Sequence, residues 1–215
     1  MRPIKISTQN LASLPDIPTL HRLTQSLAML DAILSPDWEG RYYSFNSRWA
    51  EAEMMASMRT GSGDEWFLLF CPSGAIMKGF AHESPMAEGA TWAGVLSTVP
   101  AVFGSFLTEP AFSMADTTFC IWRTPDDDQW RKGTIAYPSS PDPDGSEDLL
   151  FILDGNPKTY QNWAEEYYEA DVNLAAVKHV YQHRPLTPQT VARLNPDMTL
   201  ADLADDIAEI GYPIG

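Results

Sequence analysis

Leu20, Leu23, Leu27, Leu30 and Leu34 recur at helical spacing and predict a helix with one apolar stripe. Asp16 stands where an N-cap belongs, Pro18 falls in the first turn, and Pro36 ends the run. Residues 1–15 carry no period and read as an irregular leader. From Arg41 to Trp49 the period drops to two. Tyr43, Phe45 and Trp49 fall on one side, and Ser44, Asn46 and Arg48 on the other. Glu51 to Arg59 has helical composition but a strand's position, and is read as a partner strand. Gly61-Ser62-Gly63-Asp64 makes a turn. Trp66 to Phe70 is an apolar run of the length of a buried central strand. Pro72-Ser73-Gly74 turns the chain again. Ala75 to Glu83 then reads as a returning strand with Ile76, Lys78, Phe80 and His82 on one face.

Residues 86–108 read as two helices. Trp92, Val95, Leu96 and Val99 form one stripe, and Phe103, Phe106 and Leu107 the next. Pro100 divides them, because a proline inside a helix costs about 3 kcal/mol. Thr117–Thr124 and Trp130–Tyr137 are predicted strands, as is the apolar run Leu149–Leu153. The segment from Pro157 onward is helical, with stripes at Tyr160/Trp163/Ala164/Tyr167/Tyr168, Leu174/Val177/Val180, Val191/Leu194 and Leu200/Leu203/Ile207/Ile210. The expected fold is α+β: one mixed, mostly antiparallel sheet flanked by helices, with a helical C-terminal third. Residues 1–215 read as one domain.

Composition adds an electrostatic asymmetry. The net charge is −15, yet up to Thr60 six acids balance six bases. The remaining 23 of 29 acids face only eight of 14 bases. Such a field repels a phosphate backbone and attracts a basic protein. No stretch approaches the roughly 20 apolar residues of a membrane span, and MRPIKISTQN has no signal-peptide core. A cytoplasmic protein with no nucleic-acid or membrane partner is expected. Cys71 and Cys120 lie in predicted strands without CxxC spacing and read as buried free thiols.

Candidate chemistry is sparse. His82-Glu83 closes a predicted strand at a sheet rim, where a histidine could act in acid–base chemistry. Strand alternation would send the two side chains to opposite faces. His179 and His183 share a helix face, but Val180 occupies the position where a zinc hydrolase needs glutamate. Ser140–Gly145 brushes against a calcium loop, yet position twelve is Phe151 rather than glutamate. Gly61–Asp64 lacks the Lys-Ser/Thr of a phosphate loop, so its glycines serve the turn. No cofactor is implied. Aromatics Tyr160, Trp163, Tyr167 and Tyr168, beside Glu165, Glu166 and Glu169, read as core with an exposed edge suited to protein binding.

The central stretch resembles the SUKH superfamily. Gly61-Ser62-Gly63-Asp64-Glu65-Trp66, an apolar strand, Gly74, and a strand ending at His82-Glu83 carry the likeness. Phe103-Gly104-Ser105-Phe106-Leu107 extends it to Met58–Leu107. The chain as a whole is similar to a bacterial protein family without an assigned mechanism. The SUKH resemblance implies an α+β fold and a non-enzymatic role, often that of an immunity protein neutralising a nuclease toxin.

The leading expectation is therefore an acidic protein-binding module, such as a bacterial immunity protein or antitoxin for a basic toxin. Its candidate surface is Asp64, Glu65, His82 and Glu83, with Asp126 or Glu165 extending the acidic patch. The alternatives are a small hydrolase using His82 with a carboxylate, and a structural or scaffold subunit.

Overall fold

The computed structural model describes residues 5–215. The leader expected over 1–15 is irregular where described, but it is packed down. Ile6 and Leu14 are buried, and Ser7 bridges to Asn10. Asp16 caps helix α1 (Ile17–Leu34) by accepting the Thr19 N–H, with Pro18 in the first turn. Every residue of α1 from Leu23 to Ile33 is buried, so the helix is enclosed on all sides beyond its first turn and a half.

Six strands follow: β1 (Tyr43–Ala50), β2 (Glu53–Arg59), β3 (Glu65–Cys71), β4 (Gly74–Phe80), β5 (Phe119–Arg123) and β6 (Arg131–Lys132). They form one antiparallel sheet in the order β1-β2-β3-β4-β5-β6, each strand pairing with its sequence neighbour. The strand reading of residues 51–59 holds. The sheet is covered on both faces, which is why β3 reads as a continuous apolar run.

One face carries Tyr43, Phe45, Met58, Trp66, Leu68, Phe70, Met77 and Ile121. It packs under α1 and the helices after residue 145. The other carries Met55, Phe67, Leu69, Ile76, Cys120 and Trp122, under Met86, Val95, Phe103, Phe106 and Phe112 of the 81–118 excursion.

The excursion departs from the sequence reading. Residues 86–99 form turns, not a helix, and only a 3-10 turn at Ala101–Phe103 with α2 (Gly104–Thr108) is helical. Gly94 and Thr98 adopt positive φ, which interrupts a helix. This segment grips the chain after β6: Trp92 Nε1 donates to the Ala136 carbonyl, and Thr134 N–H donates to Ser97 Oγ. Residues 133–136 are thereby held away from the ladder, so β6 is two residues long instead of continuing to Tyr137.

Two further differences have local causes. Leu149–Leu153 is not a strand. It lies in α3 (Ser146–Leu150) and a 3-10 turn at Phe151–Asp154, because the Asp142 carboxylate accepts the Glu147 and Asp148 N–H groups and starts a helix. Trp49 does not share a face with Tyr43 and Phe45. The β1–β2 register shifts between Asn46 and Ala50, and Trp49 stacks on Phe112 across the sheet, centroids 5.7 Å apart.

The C-terminal helices are α4 (Pro157–Tyr167), α5 (Leu174–Tyr181), α6 (Pro188–Leu194) and α7 (Ala204–Ile210). Asn156, Asn173 and Thr187 cap the first three, and Gly211 closes the last at φ 70°. Thr199 and Asp202 hydrogen-bond to each other and form the turn that precedes α7. α7 lies on β1, with Ser47 Oγ donating to the Glu209 carbonyl. No helix of the described residues is long and apolar enough to cross a membrane.

Candidate functional site

The turn before β3 is built by Thr60, whose hydroxyl accepts the Asp64 N–H at 3.2 Å while its own N–H donates to the Asp64 carbonyl. Gly61 and Gly63 supply the positive φ this path needs. The turn aims the Asp64 carboxylate across the hairpin end. There it accepts the His82 backbone N–H at 2.9 Å, and His82 Nδ1 lies 2.7 Å from the same oxygen. The proton on this bond sits on Nδ1, which leaves Nε2 turned outward. Hydrogen bonding to Asp64, then its charge, raises the His82 pKa above the usual 6.5.

β4 ends at Phe80, three residues before the predicted limit, so His82 and Glu83 sit in a turn and not in a strand. Alternation therefore does not separate them. Glu83 Oε1 stands 3.9 Å from His82 Nε2 with its side chain almost fully exposed.

Beside this pair lies a recess lined by the carboxylates of Asp64, Glu83, Asp142 and Asp148, with Ser84, Ala81, Gly145 and Leu149. Among the described residues no Lys or Arg lines it. Asp142 and Asp148 come from the α3 entry and were not among the expected site residues, although SPDPDGSED is dense in acids. Burial raises the Asp142 pKa, against the α3 N–H groups that lower it. Ser84 is no free nucleophile: its hydroxyl donates to the Pro143 carbonyl at 2.8 Å and accepts the Met86 N–H.

The other expected residues disperse. Glu65 turns to the sheet surface, where Lys78 Nζ, fully buried, donates to it at 2.8 Å and to the Asp116 carbonyl at 2.8 Å. Asp126 is exposed in the β5–β6 turn, beyond Arg123. Arg123 pairs with Ala75 at the start of β4, so Asp126 lies at the sheet end opposite His82. Glu165 accepts Gln161 Nε2 and the Val172 N–H, which fixes the chain after α4. Neither Asp126 nor Glu165 joins the Asp64–His82 surface.

The sequence motifs for metals do not assemble. His179 contacts the Pro185 carbonyl and His183 contacts Gln25 Oε1, so the rings serve different neighbours. Asp144 is buried and accepts the Thr8 and Ser146 hydroxyls, so its oxygens are committed to the fold. Among the described residues no group of three or more His, Cys, Asp or Glu could hold a metal ion. Cys120 is a buried free thiol pushed up to about 12, and Cys71 a half-buried one also raised by burial.

One buried carboxylate escaped the sequence reading altogether. Asp31 of α1 is 0% exposed and accepts the N–H groups of Tyr42 and Tyr43 at 2.9 Å each and the Tyr160 hydroxyl at 2.7 Å. It joins α1, the entry to β1 and α4. Desolvation raises its pKa to about 7 despite those three donors.

No family model, curated protein or solved structure matches this chain.

Proposed function

We propose that the protein is a non-enzymatic, acidic protein-binding module acting in the cytoplasm, and that it binds a basic protein partner in the manner of an immunity protein or antitoxin. The recess that unites Asp64, Glu83, Asp142 and Asp148, with no lining cation among the described residues, carries this reading. A Lys or Arg side chain entering it would meet acceptors already oriented by backbone contacts. The net charge of −15 would speed encounter with a basic partner and disfavour a nucleic acid. The local resemblance to SUKH immunity proteins points the same way.

The test is capture from a native lysate at low and high salt with wild type and a Glu83→Lys/Asp148→Lys double variant. The reading expects one basic partner, held by wild type, released by salt and absent from the variant. Failure of wild type to capture a partner at low salt, or equal capture by both proteins, sinks it.

A hydrolase reading draws on one observation, the Nδ1 contact to Asp64 that leaves Nε2 outward as in an oriented general base. It requires turnover of an activated ester or phosphate ester that His82→Gln abolishes while circular dichroism stays unchanged.

A further inference from the structure

The β1–β2 ladder is polar where it leaves the second core. Ser44 and Ser57 oppose each other in register, hydroxyl oxygens 2.7 Å apart, and Ser57 is 2% exposed. Two hydroxyls that share one hydrogen bond keep one O–H unspent. Arg59 follows two positions along the same side of β2. Its guanidinium rests 5.1 Å from the Phe67 ring and makes no hydrogen bond or ion pair among the described residues. Trp38, 59% exposed, walls the same cleft. Arg41 lies beside it but is already spent: it pairs through both terminal nitrogens with Asp206 and donates to the Ser35 and Pro36 carbonyls.

These residues line two adjoining shallow hollows along the sheet edge, which share Trp38, Arg41, Ser44, Ser57 and Arg59. The second includes Gly61, so the cleft and the acidic recess flank the same Thr60–Asp64 turn. We infer that this cleft binds a small aromatic carboxylate, with the carboxylate on Arg59 and the spare serine hydroxyl and the ring on Trp38. A planar carboxylate matches the guanidinium fork, and an indole face accepts a flat ring. The exposed rim carboxylates of Glu39 and Glu209 favour a single negative charge over a doubly charged phosphate.

Titration of ¹⁵N-labelled full-length protein with benzoate tests the inference, with acetate, phenyl phosphate and benzyl alcohol as comparison probes. Benzoate is expected to saturate with a Kd on the order of 1 mM, shifting the amides of Trp38, Ser44, Ser57 and Arg59. Acetate and phenyl phosphate should bind more weakly, and benzyl alcohol should leave these amides unmoved. Arg59→Gln should raise the benzoate Kd about tenfold or more, and Arg59→Lys, which keeps the charge without the fork, should fall between. Trp38→Ala should remove the preference for benzoate over acetate. Shifts scattered elsewhere, no saturation at millimolar benzoate, or unchanged affinity in Arg59→Gln overturns the assignment. Phenyl phosphate binding more tightly than benzoate overturns the choice of carboxylate.

Discussion

Asp31 accepts the Tyr160 hydroxyl at 2.7 Å inside a core that excludes water from both side chains. Its carboxyl is raised from 3.8 to about 7 by burial. Between those values the folded protein holds a proton that the unfolded chain has released. Stability contributed by this group is therefore greatest below the unfolded value and declines as pH rises through the folded one. The decline is about 4 kcal/mol at most. Asp31→Asn keeps an oxygen for the Tyr42 and Tyr43 N–H groups and cannot ionise. Urea unfolding at pH 5 and pH 8 should show a clear loss of stability in wild type and a smaller one in the variant. Equal losses would mean that Asp31 does not titrate in this range.

His82 carries a linkage of the same sign. Its folded pKa lies above the unfolded value, so the Asp64 contact adds stability that is complete below the unfolded value near 6.5 and is lost as pH rises through the folded one. An NMR titration of the His82 ring should place its midpoint above that of a free histidine. Asp64→Asn should lower it, and an unmoved midpoint would show that the 2.7 Å contact is not formed in solution.

Lys78 and Glu65 make an asymmetric pair, one wholly buried and one part-exposed. Glu65→Gln keeps an amide oxygen for the ammonium but removes its counter-charge, and should cost on the order of 2 kcal/mol. That is less than the roughly 3–5 kcal/mol of a fully buried pair, because Glu65 retains some water. Lys78→Met removes the charge with its stem packing kept and should cost less than Glu65→Gln. Chemical denaturation of both variants reads the order, and the reverse order would contradict the pairing.

Gly145 adopts φ 71° at the entry to α3, and a Cβ there would fall on the Ala81 methyl beside the acidic recess. Gly145→Ala should destabilise by about 2 kcal/mol through backbone strain plus overlap. Adding Ala81→Gly should recover the overlap but not the strain. A double variant no more stable than Gly145→Ala would place the whole effect in the backbone.

The sheet was readable because its strands obey local rules. The α1 stripe, the alternation of Tyr43 and Phe45, the Trp66–Phe70 run and the glycine turns each specify one element without help from afar. Where the reading failed, groups outside the apolar pattern decided. The turns at 86–99 exist because Gly94 and Thr98 take positive φ and Ser97 and Trp92 hold the chain after β6. Leu149–Leu153 is short enough to suit a strand or a helix, and the Asp142 carboxylate chose helix. The candidate site was half legible. Asp64 and His82 stood out, but their bond depends on β4 stopping at Phe80, which no period announces. Asp142 and Asp148 reach the recess only through the fold of α3, and Asp31 is hidden in sequence among apolar helix neighbours.

The order of the strands has a consequence for synthesis. Each ladder forms between neighbours in the chain, so the sheet can be complete once Lys132 has left the ribosome. The cover for its first face, apart from α1 and the segment before it, lies mainly after residue 145. For the time taken to translate about 80 further residues, a face carrying Trp66, Leu68 and Met77 has only α1 and the segment before it to shelter it. A chain released early, after β6, would expose that face permanently and should be recovered in inclusion bodies or bound to chaperones.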